Sequence, residues 1–255
     1  MNINQAFEIL ARAGNAHDAR VIIENTEKKS AWKIRRMARA LRRGVPVAKI
    51  IHQKWFYGLK FYTNRHTLDP RPDTETLVAA VIADCGTGVM PNILDVGTGT
   101  GCIIAALVKN IHGARGVAID KSRGALRVAR RNMRNLQMAD VVRVMRGDFN
   151  NPRCVTEKFD LIVSNPPYIA NGDKRVNVGA KHDPRRALYA KNGGYAAYES
   201  IAKNARGWLG DGGKIYLEIG AGMGEQVRKI FAQHGWKFVR SENDLSATER
   251  VLVFI

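Results

Sequence analysis

Residues 92–101, Asn92-Ile93-Leu94-Asp95-Val96-Gly97-Thr98-Gly99-Thr100-Gly101, pass from an apolar strand into alternating glycines, after which Cys102 to Val108 continue as a helix. Glycines let a ligand approach the backbone closely, and the helix N-terminus behind them presents free N–H groups. The next unit, Gly116-Val117-Ala118-Ile119-Asp120, is a second strand that ends in a carboxylate nineteen residues after Gly101. A carboxylate there is placed to accept hydrogen bonds from ribose hydroxyls. Strand, glycine loop, helix, strand and acid in this order specify an α/β nucleotide-binding unit. At this level a nicotinamide cofactor and S-adenosylmethionine remain equally compatible with it.

Downstream the alternation continues. A helix over about 122–136 carries Arg123, Arg127, Arg130, Arg131 and Arg134 on one stripe and Ala125, Val128, Ala129, Met133 and Leu136 on the other. Val141 to Met145 is a third strand, and the acid and aromatic that follow it in Gly147-Asp148-Phe149 suit an adenine amino group and ring. The apolar run Phe159 to Val163 is a fourth, buried parallel strand that closes on Ser164-Asn165-Pro166-Pro167-Tyr168. Two prolines fix φ near about −65° and remove two N–H donors, leaving a stiff loop that offers acceptors. Asn165 Oδ1 and the Pro166 carbonyl can each accept one hydrogen of a planar –NH2 group while the Tyr168 ring covers its face. A plain turn is the competing reading of the same four residues.

From Ile169 to Asn192 periodicity is lost and Lys174, Arg175, Lys181, Arg185, Arg186 and Lys191 crowd the segment, which reads as a substrate-facing lid. A helix over about 194–208, a strand at 214–219, a helix at 223–233 and strands near 236–240 and 250–255 then bring the total to six or seven strands. That is a doubly wound sheet. Gly220-Ala221-Gly222 is assigned to the turn after its strand.

Upstream, residues 1–43 read as helical. Ile34, Met37, Ala38 and Leu41 share one side of a helix, and Arg35, Arg36, Arg39, Arg42 and Arg43 share the other, either a solvated face or a docking face. Gly44 and Pro46 end that element. Residues 54–63 alternate aromatic and polar side chains about Gly58, as a β-hairpin does. Asp69-Pro70-Arg71-Pro72-Asp73-Thr74-Glu75-Thr76 opens a helix with Asp73 or Thr74 as its N-cap. Capping leaves Arg71, set between two prolines, unexplained.

The chain carries 41 Lys+Arg against 23 Asp+Glu, a formal charge of +18, which favours anionic partners such as RNA or ribosomes unless it reflects a generally basic source. Cys85, Cys102 and Cys154 are too scattered for a disulfide framework, and the six histidines supply no ligand spacing, so no metal site is expected. No run reaches membrane-spanning length and the acidic residues near the start argue against a transit peptide, so a cytoplasmic protein is expected.

From Gly44 onward the chain resembles the HemK/PrmC-type family, the methyltransferases that act on the glutamine side-chain amide of peptide chain release factors. The resemblance rests on Gly44-Val45-Pro46, Pro70-Arg71-Pro72-Asp73-Thr74-Glu75, Asp95 to Gly101, Asp120, Asn165-Pro166-Pro167-Tyr168, Asp183-Pro184 with Ala187-Leu188, Gly193-Gly194 and Glu249-Arg250-Val251. The N-terminal part is shorter than usual in that family, Phe149 stands where tryptophan is common, Asp183 replaces a glutamate, and Tyr195-Ala196-Ala197 follows the glycine pair. The resemblance implies a class I S-adenosylmethionine-dependent methyltransferase, Rossmann-like with a mostly parallel seven-stranded sheet. Residues 1–45 would be a short helical substrate-recognition region, 46–75 a β-hairpin linker and 76–255 the methyltransferase domain. S-adenosylmethionine would lie over Gly97, Thr98, Gly99, Thr100 and Gly101, with Asp120 at its ribose, Asp148 and Phe149 at its adenine, and Asn165 also contacting it. Asn165, Pro166 and Tyr168 would carry the chemistry, and Pro167 and Arg71 would join them in holding the glutamine of a Gly-Gly-Gln motif. An adenine-amine methyltransferase acting on DNA or RNA shares Asn-Pro-Pro-Tyr and is the leading alternative; a methyltransferase of a ribosomal-protein glutamine is another.

Overall fold

The computed structural model describes residues 1–255 except 87, 89 and 174–180, so Lys174 and Arg175 of the expected lid lie outside the described residues. The four-strand pattern read from the sequence forms one side of the sheet, out to its β5 edge: β3 (Asn92–Val96), β4 (Arg115–Asp120), β5 (Val142–Arg146) and β6 (Phe159–Ser164). With β9 (Leu209–Glu218), β10 (Phe238–Asn243) and β11 (Glu249–Phe254) they build a seven-stranded sheet in the order β10-β11-β9-β6-β3-β4-β5. All pairings from β9 to β5 are parallel, and β11 runs antiparallel to both its neighbours.

Period-two alternation splits the strand side chains between two cores. Ile93, Leu161, Val163 and Tyr216 join one cluster with Leu77 and Val81 of α5 (Thr74–Asp84) and Ile104 and Leu107 of α6 (Cys102–Asn110). Leu94, Ile162, Ile215 and Phe254 join the other with Tyr198 and Ile201 of α9 (Ala196–Asn204) and Phe231 of α10 (Gly224–Gln233). Central strands covered on both faces need continuous apolar runs, which is what 161–163 supplies.

Register then decides where chemistry can sit. Val96 pairs with Ile119 on one side and Ser164 on the other, and Ser164 pairs with Leu217. The C-terminal ends of β3, β4, β6 and β9 are therefore level. The chain runs outward from β3 through β4 to β5, then returns to place β6 on the other side of β3. A crevice opens at that reversal.

Helices α1 (Ile3–Ala11), α2 (Ala16–Glu24) and α3 (Ala31–Arg42) start on Asn2, Asn15 and Ser30, each of which accepts a backbone N–H with its side chain. Their apolar faces form a separate cluster around Leu10, Ile22, Ile34 and Leu41. The five arginines of the α3 region all point to solvent beside the exposed Trp32. In α7 (Arg123–Asn135) the stripe is also exposed, though Arg131 lies over the Tyr62 ring at 3.7 Å and Arg130 donates to the Val144 carbonyl.

Four details refine the sequence reading, and only the helix cap departs from it outright. Residues 47–51 form a short helix, α4, so the stretch before the hairpin is not extended. The hairpin itself is tight: β1 (Gln53–Phe56) and β2 (Leu59–Tyr62) turn through Tyr57 and Gly58, both at positive φ, as a two-residue loop requires. The expected cap at Asp73 or Thr74 does not form, because Asp73 is already helical in φ and ψ and its carboxylate reaches Arg250 at 3.3 Å instead. Part of the lid is ordered by a two-residue pairing of β7 (Ile169–Ala170) with β8 (Tyr189–Ala190).

Candidate active site

A cavity of about 590 Å³ occupies the crevice. Gly97, Thr98, Gly99, Thr100, Asp120, Asp148, Phe149, Asn165, Pro167 and Arg71 all line it. Gly97 and Gly99 take φ of 78° and 57°, and a Cβ on either would meet nothing closer than the Gly97 carbonyl at 3.9 Å. The backbone is thus bare toward the cavity. Gly101 lies outside the lining and serves packing: a Cβ there would strike Met133 at 2.8 Å. Asp120 accepts from the backbone N–H groups of Ser122 at 2.7 Å and Gly99 at 3.1 Å. Burial raises its carboxyl above the usual range while those two bonds oppose the rise.

Asp148 is the opposite case. Burial pushes its carboxyl up, but Lys121 at 2.7 Å and Asn150 outweigh it, so the group is held below its ordinary value. Phe149 is partly buried, and its carbonyl accepts from Asn204. At the end of β6, Asn165 Nδ2 donates to the Thr74 hydroxyl at 3.1 Å, which turns Oδ1 the other way. Pro166 is buried and, with Tyr168, is not part of the cavity wall. The Tyr168 ring packs against Gly220, where a Cβ would sit 2.9 Å from it, and the Tyr168 carbonyl lies where Gly194 would carry a side chain. Gly194 and Gly220 therefore seat the loop, and the turn assigned to Gly220-Ala221-Gly222 has a packing reason.

Arg71 is explained in part by its neighbours. It binds Asp183 at 2.7 Å, and Asp183 in turn faces Lys49 of α4 at 3.0 Å. Lys49 also meets Asp69 at 2.8 Å, the Thr63 hydroxyl and the carbonyls of Asn64 and Thr67. The two carboxylates around that ammonium ion come from different segments, so it ties α4, the hairpin's exit and the lid together.

Four residues at the site escaped the sequence reading: Lys49, Thr74, Asp95 and Glu218. The two acids share a signal, a lone carboxylate inside an apolar strand. Asp95 accepts the Thr98 hydroxyl at 2.6 Å and is completely buried, which pushes it up to about 7. Glu218, also buried and raised to about 7, stands at the end of β9. Both are protonated more readily in the fold than in the unfolded chain, where such carboxyls sit near about 4. Their contribution to stability is complete below that value and is lost as pH rises through about 7. Melting temperature is accordingly expected to be lower at about pH 8 than at about pH 5, and Asp95→Asn should flatten that difference. An identical pH slope in the variant would remove Asp95 as its source.

The sheet order, the glycine cradle and the acid at the end of β4 define the class I S-adenosylmethionine-dependent methyltransferase fold. Residues 72–183 match the family model described as methyltransferase small domain. The release factor glutamine methyltransferase of Cereibacter sphaeroides is 38% identical over 218 residues, covering 84% of this chain and 75% of that protein. A bifunctional methyltransferase of Rickettsia prowazekii is 33% identical over 271 residues, covering 97% of this chain and 52% of its own. Against such bifunctional relatives the chain spans about half their length. Among solved structures, a methyltransferase from Pyrococcus furiosus superposes with a TM-score of 0.56 at 19% identity, over 86% of this chain and 96% of that one, and shows the shared fold. The chain belongs to the release factor glutamine methyltransferase family.

Proposed function

We propose that the protein methylates the side-chain amide nitrogen of the glutamine in the Gly-Gly-Gln motif of a peptide chain release factor. S-adenosylmethionine, when bound, supplies an electrophilic methyl group on a sulfonium. The residues present fit it: a cradle bare of side chains at Gly97 and Gly99, and a carboxylate at Asp120 whose two oxygens keep free lone pairs for hydroxyls. Thr98 and Thr100 complete that wall, Gly101 packs the loop against Met133 behind it, and Asp148 and Phe149 take the adenine end.

The observation that carries the reading is the Asn165 amide. With Nδ2 spent on Thr74, Oδ1 is the end left for a ligand; the Pro166 carbonyl, behind the cavity wall until a substrate seats against the loop, is assigned as the second acceptor, with no competing N–H. A primary amide nitrogen is a poor nucleophile because its lone pair is delocalised into its carbonyl. Acceptors on both its hydrogens fix its direction and stabilise the positive charge that develops on it. A strong base is not required first, since the proton can leave afterwards. Tyr168 and Pro167 shape the loop that presents these acceptors, and Arg71 stands at its mouth. Residues 1–45 are assigned to docking the protein substrate, 46–75 to the linker and 76–255 to the methyltransferase domain, with the reaction in the cytoplasm.

The exposed arginines on α3 favour a second contact, with ribosomal RNA, and keep adenine-amine methylation as the competing reading. Transfer of labelled methyl to a release factor, to the same factor with its Gly-Gly-Gln glutamine changed to alanine, and to mixed DNA and RNA separates them. Label is expected on the intact factor only. Label on nucleic acid would keep the chemistry and discard the substrate.

A further inference from the structure

Behind the Asn165 loop stands a carboxyl that the proposed reaction leaves unused. Glu218 is 1% exposed, and its Oε2 has no hydrogen-bond partner among the described residues. Its backbone is fixed, because Val251 pairs with it across the sheet and its carbonyl accepts the Tyr198 hydroxyl at 2.9 Å. The side chain lies beside Thr74 at the start of α5 and Asn165 at the end of β6. Arg250 of β11 also faces it and favours its ionised form, while Asp73 opposes that form. The phenol groups of Tyr168 and Tyr198 and the Cys102 thiol feel its charge as well.

We propose that Glu218 is a positioning residue: through Thr74 and through its own contact with Asn165 it sets which end of the Asn165 side-chain amide meets the substrate. The inference rests on the reading of the site given above. A hydroxyl has one hydrogen to give and two lone pairs with which to accept. Thr74 accepts from Asn165 Nδ2, so its own hydrogen must go elsewhere, and the Glu218 carboxyl is the acceptor beside it. An ionised carboxyl can only accept. The chain then runs one way, Asn165 to Thr74 to Glu218, and Oδ1 faces the cavity. A protonated Glu218 can donate to Thr74 and free the hydroxyl hydrogen to turn toward Asn165. That arrangement is satisfied with Oδ1 inward and Nδ2 outward, where its hydrogens oppose those of a substrate amide.

Burial holds the Glu218 carboxyl at about 7, so the two arrangements exchange within an accessible pH range. For wild type, kcat is expected to be about tenfold lower near pH 6 than near pH 8, as for a single group that must be ionised. Glu218→Gln, which cannot ionise, is expected to lower kcat about tenfold at pH 8 and to abolish the pH dependence, with S-adenosylmethionine affinity by calorimetry within about twofold of wild type. Thr74→Val, which removes one of the two links, is expected to lower kcat in the same direction but by less than Glu218→Gln, and to leave part of the pH dependence. A second arm needs no turnover: the side-chain amide NMR signals of Asn165 in the ligand-free protein should shift between those pH values in wild type and stay put in Glu218→Gln. Wild-type kcat in Glu218→Gln, or an unchanged pH profile or Asn165 titration there, overturns the proposal. Should wild type label no release factor at any pH, the assigned reaction fails and the NMR arm alone decides the role of Glu218.

Discussion

Replacing Lys49 with methionine is expected to cost about 3–5 kcal/mol of folding stability, because it removes the cation from a buried cluster and leaves its carboxylates behind. Asp69 and Asp183 lie 2.8 and 3.0 Å from the ammonium nitrogen, and both are over nine-tenths buried. Arg71 reaches Asp183, so after the change Asp69 loses its cation. Burial already pushes the Asp183 carboxyl up, and Lys49 is the leading influence that opposes it. Urea denaturation would show a lower midpoint, with an unchanged slope if the compact state is kept. Adding Asp69→Asn to the lysine variant should recover part of the loss. A midpoint within about 0.5 kcal/mol of wild type would mean that the cluster contributes nothing net.

Asn165→Ala is expected to lower turnover by at least tenfold and, if the Oδ1 contact acts as a preorganised dipole on developing charge, by about 100-fold. Cofactor affinity should change little, since the side chain is held by Thr74 and aimed at the amide rather than at the glycine cradle. Single-turnover rates and calorimetry separate the two effects. Equal losses in both would make Asn165 a residue of the cofactor pocket and withdraw it from the chemistry.

Much of the sheet was readable because its signals are local. The run 92–101 and the acid at 120 place β3, α6 and β4 by pattern alone, and the apolar strand before Asn165 places the loop at the sheet's C-terminal edge. What escaped is non-local. Thr74 looks like a helix cap from its neighbours, yet its hydroxyl serves Asn165, ninety-one positions away. Lys49 sits in a five-residue helix with no charged neighbours in sequence, and its partners lie 20 and 134 positions on, at Asp69 and Asp183. Arg71 drew notice as an oddity between prolines, but its ion pair depends on the lid folding back. Spacing rules describe residues that share an element; these pairs share only a place in space.

The placement of β11 bears on how the molecule is made. Its strand slots between β9 and β10, both synthesised earlier, so the sheet is completed out of the order in which it leaves the ribosome. The glycine cradle and the Asn165 loop emerge well before Glu249–Phe254, whose Val251 flanks Glu218 and whose Arg250 reaches both Asp73 and Asp244. A nascent chain therefore holds the parts of its active site, exposed and unsupported, until one late strand inserts.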